Sequence, residues 1–457
     1  MTASATAPAR QLHLGVMFNS PNFDRAETNA APDGRAITTT LAYYARLSQA
    51  LERAKLDFVM VADGLAHEAN RLAPPRLEPV SLFGALAAVT SHIGLVPTIS
   101  TTFTAPFNLA RQTQSLDHLS NGRSGWNVVT SSFGEGNFGT APIPPHTERY
   151  RRGLEHVEVV RKLWDSWQDD ALIAHGTALE VEPARVHRID HKGEFYSVEG
   201  PLNLSRSPQG HPVLFQAGSS RDGIGFAAHF ADAVYTAQHT LAEGQAFYRA
   251  LKGQTARLGR NPAQLKILPG LVTVIGDTEA EAQHRASELL EGRITPEAIA
   301  ATAKQLGGID LAAYDLNDRI PPHLLPEVLA VEGRQSRYGL FRHCAIDLRW
   351  SVRQLVELQL SAAGHGRIVG TPQQIADHIA DWFLNGGSDG FVVMPGQGRG
   401  GAELFAAQVV PLLQRRGLFR HDYAGTTLRS HLGLPLPVGR HSGAQPRDAD
   451  VRQAASV

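Results

Sequence analysis

Short, uninterrupted apolar runs alternate along the chain with longer segments whose apolar residues recur every three or four positions. Runs without polar alternation fit parallel strands covered on both faces, and the wider spacing fits helices with one buried stripe. The runs are residues 12–18 (LHLGVMF), 58–62 (FVMVA), 93–100 (IGLVPTIS), 122–131 (GRSGWNVVTS), 212–217 (PVLFQA), 233–236 (AVYT), 266–275 and 390–395 (GFVVMP). Helical spacing fills the intervals at 39–55, 79–91, 108–119, 146–167, 224–230, 241–258, 279–290, 371–384 and 404–413. Pro97 predicts a bulge or an irregular end near Thr98, because proline cannot donate to a strand ladder. Eight β-then-α units in order, with no Gly-x-Gly-x-x-Gly turn after the first strand, predict an α/β fold: a closed (β/α)8 TIM barrel rather than a doubly wound sheet.

Two stretches do not fit a barrel unit. Residues 169–210 are polar and read as an insertion, and residues 292–361, with GG, PP and short helical pieces, read as an excursion over one end of the barrel, a lid or an oligomer contact. The expected organisation is one barrel with insertions over residues 1–431 and a polar tail over 432–457. That tail is expected to be poorly ordered or to lie along a neighbouring subunit.

Composition narrows the function. The formal net charge is −1, the hydrophobic fraction is 42%, and no basic block stands out, which argues against nucleic acid or an anionic membrane as partner. Neither a signal-peptide core nor a run of membrane-spanning length is visible, so a cytoplasmic protein is expected. The single cysteine, Cys344, cannot form an intrachain disulfide and reads as packing beside His343.

In a barrel of this kind chemistry belongs at the carboxyl ends of the strands. The polar residues there include Asp63, Thr98, Asn127, Thr130, His146, Tyr150, Ser219 and Ser220: hydroxyls and amides with few carboxylates, and no metal-ligand or Ser-His-Asp pattern. The Gly218-Ser219-Ser220-Arg221 turn into a helix is either an anion site, using free amides and the helix dipole, or a plain N-cap. His146 and Tyr150, four apart at a helix start, share a face. Asp63 caps a turn or serves the pocket; Trp126 reads as packing; and Asn127, a buried amide, must find hydrogen-bond partners. The remaining histidines read as surface or structural groups.

The run from Ser115 to Ser132, SLDHLSNGRSGWNVVTSS, resembles the flavin-dependent monooxygenases of the bacterial luciferase superfamily, in the branch of the nitrilotriacetate, dibenzothiophene sulfone and long-chain alkane monooxygenases. FVMVADGLA, IGLVPTISTTF, HTERY, PVLFQAGSSRDGIGFAA and GTPQQIADHIADWF are similar to the same branch, and the likeness runs from about Leu12 to Leu413. The resemblance implies an enzyme that uses O2 and takes reduced FMN from a separate NAD(P)H:FMN reductase to oxygenate a small organic substrate, with oxidation or cleavage at a C–S or C–N bond. Carried over by position, it implies FMN contacts at Asp63, Thr98, His146, Tyr150 and Ser219-Ser220, the last at the phosphate; Asn127 and Thr130 are added because they lie in the matching strand. His146 is the catalytic candidate, hydrogen-bonding the flavin or moving a proton. The branch also implies a homodimer or homotetramer. The segments after the first and second strands depart from the family pattern and border the substrate side of the pocket. Alternatives are an F420-dependent hydride-transfer enzyme and a non-catalytic flavin-binding protein.

Overall fold

The computed structural model describes residues 10–18, 36–66, 76–139, 142–218, 220–331, 335–396 and 400–441. Nine parallel strands run in one sheet: β1 (His13–Met17), β2 (Phe58–Val61), β3 (Gly94–Ser100), β4 (Gly125–Val129), β5 (Val213–Ala217), β6 (Ala233–Thr236), β7 (Lys266–Ile275), β8 (Gly366–Gly370) and β9 (Gly390–Pro395). Each pairs with its predecessor from β1 to β7; β9 then joins β7 to β1, with His13 opposite Gly390, so eight strands close a ring. The expected (β/α)8 barrel is the observed fold, and all eight predicted strands are its staves.

Around the ring lie α1 (Leu41–Arg53), α2 (Pro79–Ala87), α3 (Pro106–Leu119), α4 (His146–Trp164), α5 (Arg221–Phe230), α6 (Leu241–Arg257), α7 (Glu279–Glu288), α8 (Pro296–Gln305), α9 (Gln335–Ile346), α10 (Val352–Ala362), α11 (Pro372–Leu384) and a helical segment over 401–415. The strand side chains alternate as the pleat demands. Inward residues such as Met17, Phe58, Met60, Val96, Phe215, Leu268 and Met394 form the barrel interior. Their neighbours face the helices: Leu14, Val59 and Leu95 pack with α1 and α2, and Trp126, Val128 and Leu214 with α3, α4 and α5.

Two expectations change. No bulge forms at Pro97: it pairs in register with Val61 of β2, and the β3–β4 pairings Leu95–Ser124 and Thr98–Asn127 keep one register. The missing N–H interrupts that ladder without shifting it. The second is β8, an unanticipated strand that pairs with the far half of β7, Gly366 opposite Leu271. At 10 residues β7 is the longest strand, long enough to serve β6 along its first half and both β8 and β9 beyond it.

Residues between α4 and β5 form two antiparallel hairpins, Leu172–His175 with Ala178–Val181 and His191–Lys192 with Ser197–Val198. Helices α8, α9 and α10 share a core of their own around Phe341, Val352, Leu355 and Val356. Cys344 belongs to that core, and burial pushes its thiol up to about 11, which fits packing and not nucleophilic chemistry. The amino end of the barrel is closed by residues 418–434. Leu428, Leu432 and Leu434 enter the interior cluster beneath Phe58, Val96 and Phe215.

Beneath that floor a buried carboxylate ties three segments together. Asp57, in the turn ahead of β2, accepts the Leu14 amide of β1 at 2.7 Å, meets His13 Nδ1 at 3.1 Å, and is bonded by the Arg420 guanidinium, which also donates to the His431 carbonyl at 2.7 Å.

Candidate functional site

The carboxyl ends of β3, β4 and β5 supply a polar wall. Thr98 and Asn127 are register partners at inward positions, two residues beyond Val96 and Gly125. Asn127 Nδ2 donates to Thr98 Oγ1 at 2.8 Å, and both residues are buried. Asn127 Oδ1 is buried without a hydrogen-bond partner among the described residues. An orphaned acceptor in that position costs roughly 1–3 kcal/mol, a penalty that a bound donor would remove. One residue earlier Trp126 faces outward, fully buried, its Nε1 donating to the Ile99 carbonyl at 3.1 Å and its ring edge-on to Trp164. It packs, as its sequence context suggested.

A second group assembles where α4 and α5 begin. His146 is the first residue of α4, and its Nδ1 lies 3.1 Å from Asp222 Oδ2 in the first turn of α5. If Nδ1–H donates there, a neutral imidazole keeps its Nε2 lone pair for another partner. Tyr150, one turn on, lies 4.7 Å from the His146 ring and edge-on to Phe226 at 5.2 Å. The Ser220 and Thr130 side chains lie beside its phenol, and burial pushes it above its ordinary pKa, so it stays neutral. Ser220 is the N-cap of α5, its Oγ accepting the Gly223 amide at 3.1 Å. The capping role weighed from sequence is therefore real, and it places the hydroxyl at the positive end of the helix. Gly218 precedes it at φ +151, where only Gln216 would approach an added Cβ. Ser219 lies outside the described residues.

Asp63 shares none of the hydrogen bonds of these two groups. It follows β2, in a loop whose Leu65 carbonyl accepts Asn137 Nδ2 at 2.8 Å. Burial pushes its carboxyl above the usual range; the Gly64 amide opposes the shift and Glu78 adds to it.

Across the ring are residues that sequence reasoning passed over. Tyr235 of β6 meets His365 Nε2 at 2.8 Å and Met394 Sδ at 3.4 Å, and Arg337 Nη2 approaches the same His365 nitrogen at 3.2 Å. His365 stands immediately before β8 and is buried. Of the surface and structural readings given to the scattered histidines, burial rules out the first for His365. The signals were the tyrosine near the end of an apolar strand and the histidine before GRIVG. Among the described residues no group of His, Cys, Asp or Glu is placed to hold a metal ion.

These residues fit a flavin nucleotide. The interior floor of Met17, Met60 and Met394 is apolar, as an aromatic ring system needs. The wall carries an unsatisfied amide oxygen for a ring N–H, and the α5 terminus with its serine favours a phosphate.

The sequence profile of the luciferase-like monooxygenases matches residues 14–389. The chain belongs to this family. As a luciferase-like monooxygenase it is an oxidoreductase by class, and several of its relatives are monooxygenases. It is 42% identical over 442 residues to N-acetyl-S-(2-succino)cysteine monooxygenase of Bacillus subtilis (strain 168), covering 96% of this chain and 100% of that one. It is 41% identical to nitrilotriacetate monooxygenase component A of Aminobacter aminovorans, over 96% of this chain and 99% of the relative. Among solved structures, a riboflavin lyase holding a modified FMN and riboflavin superposes with a TM-score of 0.81 at 32% identity, covering 93% of this luciferase-like chain and 96% of the lyase. An F420-dependent secondary alcohol dehydrogenase shares the fold at 13% identity and a TM-score of 0.54.

Proposed function

We propose that this luciferase-like monooxygenase is the oxygenase component of a two-component system. It uses reduced FMN, delivered by a separate NAD(P)H:FMN reductase, and O2 to oxygenate a small organic substrate at a C–S or C–N bond. The observation that carries this is the wall made by Thr98 and Asn127 on β3 and β4, Thr130 just after β4, Tyr150 of α4 and Ser220 at the start of α5, with its orphaned Asn127 oxygen, inside a chain that matches the family over nearly its whole barrel. A relative named as component A supports the division into oxygenase and reductase, and relatives named for a succinylated cysteine and for nitrilotriacetate support C–S and C–N chemistry. A homodimer or homotetramer and a cytoplasmic location belong to the same proposal; no helix among the described residues is long and apolar enough to cross a membrane.

Bound reduced flavin supplies the electrons that activate O2. The chain's own residues do the rest. Ser220 and the α5 terminus bind the phosphate end. Asn127 Oδ1 and Thr98 orient the ring, and Asp63 serves the same face from β2. Tyr150 stays protonated beside Ser220 and Thr130. His146, with Nδ1 turned to Asp222, presents Nε2 to take or return a proton. The apolar floor excludes water, which protects a reactive oxygen species from breakdown.

Anaerobic titration distinguishes the cofactors. Reduced FMN is expected to bind at micromolar levels or tighter and reduced F420 at least roughly tenfold more weakly. Preference for F420 would replace this proposal with hydride transfer, and flavin binding without substrate-dependent O2 uptake would leave only a flavin carrier.

A further inference from the structure

The chain has four methionines, and three of them converge inside the barrel. Met17 ends β1 and stands opposite Met60 of β2, which stands opposite Val96, the inward residue next before Thr98. Met394, next to last in β9, lies opposite Val272 of β7 and belongs to the same interior cluster. The rest of the core is built chiefly from aliphatic and aromatic side chains, so sulfur is what sets these three positions apart. A thioether takes an oxygen atom from a peroxide, and a hydrocarbon side chain does not.

Met394 differs from the other two in its surroundings. Among the described residues it alone of the three meets a hydroxyl at its sulfur: Tyr235 Oη lies 3.4 Å from Sδ and 2.8 Å from His365 Nε2. Burial keeps that phenol protonated, so it stays a hydrogen-bond donor. The contact depends on a missing side chain, because a Cβ on Gly270 would lie 2.9 Å from both Met394 Cε and Tyr235 Cε2. Hydrogen peroxide is small but strongly hydrogen-bonding, and entering an apolar layer without partners costs it free energy. Beside Met394 it finds a hydroxyl next to a nucleophilic sulfur; beside Met17 and Met60 it finds the apolar layer.

We propose that Met394 is a site of sulfoxide formation by hydrogen peroxide, and that its oxidation weakens flavin binding. The source of the peroxide rests on the flavin reading given above: O2 that takes two electrons and two protons with no substrate to oxygenate leaves as hydrogen peroxide. At Met394 a sulfur lone pair attacks one peroxide oxygen, the O–O bond breaks, and the other oxygen departs with both hydrogens as water. Sulfur is oxidised by two electrons and the peroxide is reduced by two. The product carries a polar S–O group where the floor had an apolar thioether. Tyr235 is the donor at hand for that oxygen, and the altered floor no longer matches an aromatic ring system.

The test exposes the full chain, without flavin, to dilute hydrogen peroxide, follows each methionine by peptide mass spectrometry, and titrates FMN into the same samples. Met394 is expected to gain one oxygen atom at least roughly fivefold faster than Met17 or Met60, and FMN affinity to fall about tenfold in step with it. Met394→Leu, close to methionine in volume, should keep its FMN affinity through the same exposure. An unmodified Met394, equal rates at the three interior methionines, or an affinity unchanged after Met394 has been converted would each overturn the inference. If Met394→Leu does not fold, as judged by its melt, Tyr235→Phe decides: without the hydroxyl Met394 should oxidise no faster than Met60, and an undiminished preference would overturn the assignment. A native chain that binds no FMN before exposure would instead sink the flavin reading, while the peptides still report on Met394.

Discussion

Ser220→Asp is expected to lower FMN affinity about a hundredfold and to leave the melting temperature nearly unchanged. The residue has two roles that this substitution separates. As N-cap of α5 its Oγ accepts the Gly223 amide, and aspartate performs that role as well as serine. As part of a phosphate site it must tolerate negative charge, and a fixed carboxylate within about 5 Å opposes each unit of that charge by roughly 3 kcal/mol at an effective dielectric near 20, so one unit alone is equivalent to about two decades in affinity. Asp222 already stands in that first turn, and His146 faces it at 3.1 Å, so a further acid has no compensating partner in the described surroundings. Ser220→Ala should behave in the opposite way, losing about 1 kcal/mol of stability with the cap and little affinity. Fluorescence quenching of FMN, set beside a thermal melt, reads both effects. Unchanged affinity in Ser220→Asp would show that the helix terminus is only a cap.

The largest stability effect is expected at Asp57→Asn, with a loss of about 3–5 kcal/mol at neutral pH measured by urea unfolding. The amide can still accept the Leu14 N–H, but it leaves the Arg420 guanidinium charged in the barrel floor without its counter-charge. Burial alone would raise the Asp57 pKa; Arg420 and then His13 outweigh it and hold the carboxyl below its ordinary value. A depressed acid pKa contributes stability that is complete above the unfolded-state value, roughly 4, and is lost as pH falls through the folded one. The native chain and the variant should therefore differ by a constant amount from neutral pH down to about 5 and converge only below about 4. A gap that closes near neutrality would mean that the pair contributes little.

The two sites differ in how much of them the sequence discloses. A parallel strand buried on both faces is an unbroken apolar run, so AVYT, 266–275 and GFVVMP mark β6, β7 and β9 with their observed ends. β8 escapes because GRIVG is five residues between glycines, half exposed, and stabilised by a partner 95 positions upstream; the only hint was that β7 is too long for a simple stave. Asn127 was legible as a buried amide on a strand whose neighbours are apolar, and its donor contact with Thr98 follows from adjacent strands in register. His146, Tyr150 and Ser220 were legible because each sits at a helix start. The Arg337, His365 and Tyr235 corner was not. Its residues come from helix, turn and strand, Tyr235 and His365 are 130 positions apart, and nothing local in the sequence draws them together. The same holds for Asp57 and Arg420, which meet only because the chain after the last helix folds back under the barrel.

The central claim is that this chain transfers one oxygen atom from O2 to a small substrate, using reduced FMN bound on the β3–β5 wall. Turnover under isotopically labelled O2, with FMN, NADH and a flavin reductase, followed by mass spectrometry of the products, tests it most directly. The account predicts a product carrying one labelled atom from O2, formed only when reductase and FMN are both present. Product without label, or label appearing only in water and hydrogen peroxide across carboxylate-bearing thioethers and amines, would contradict it.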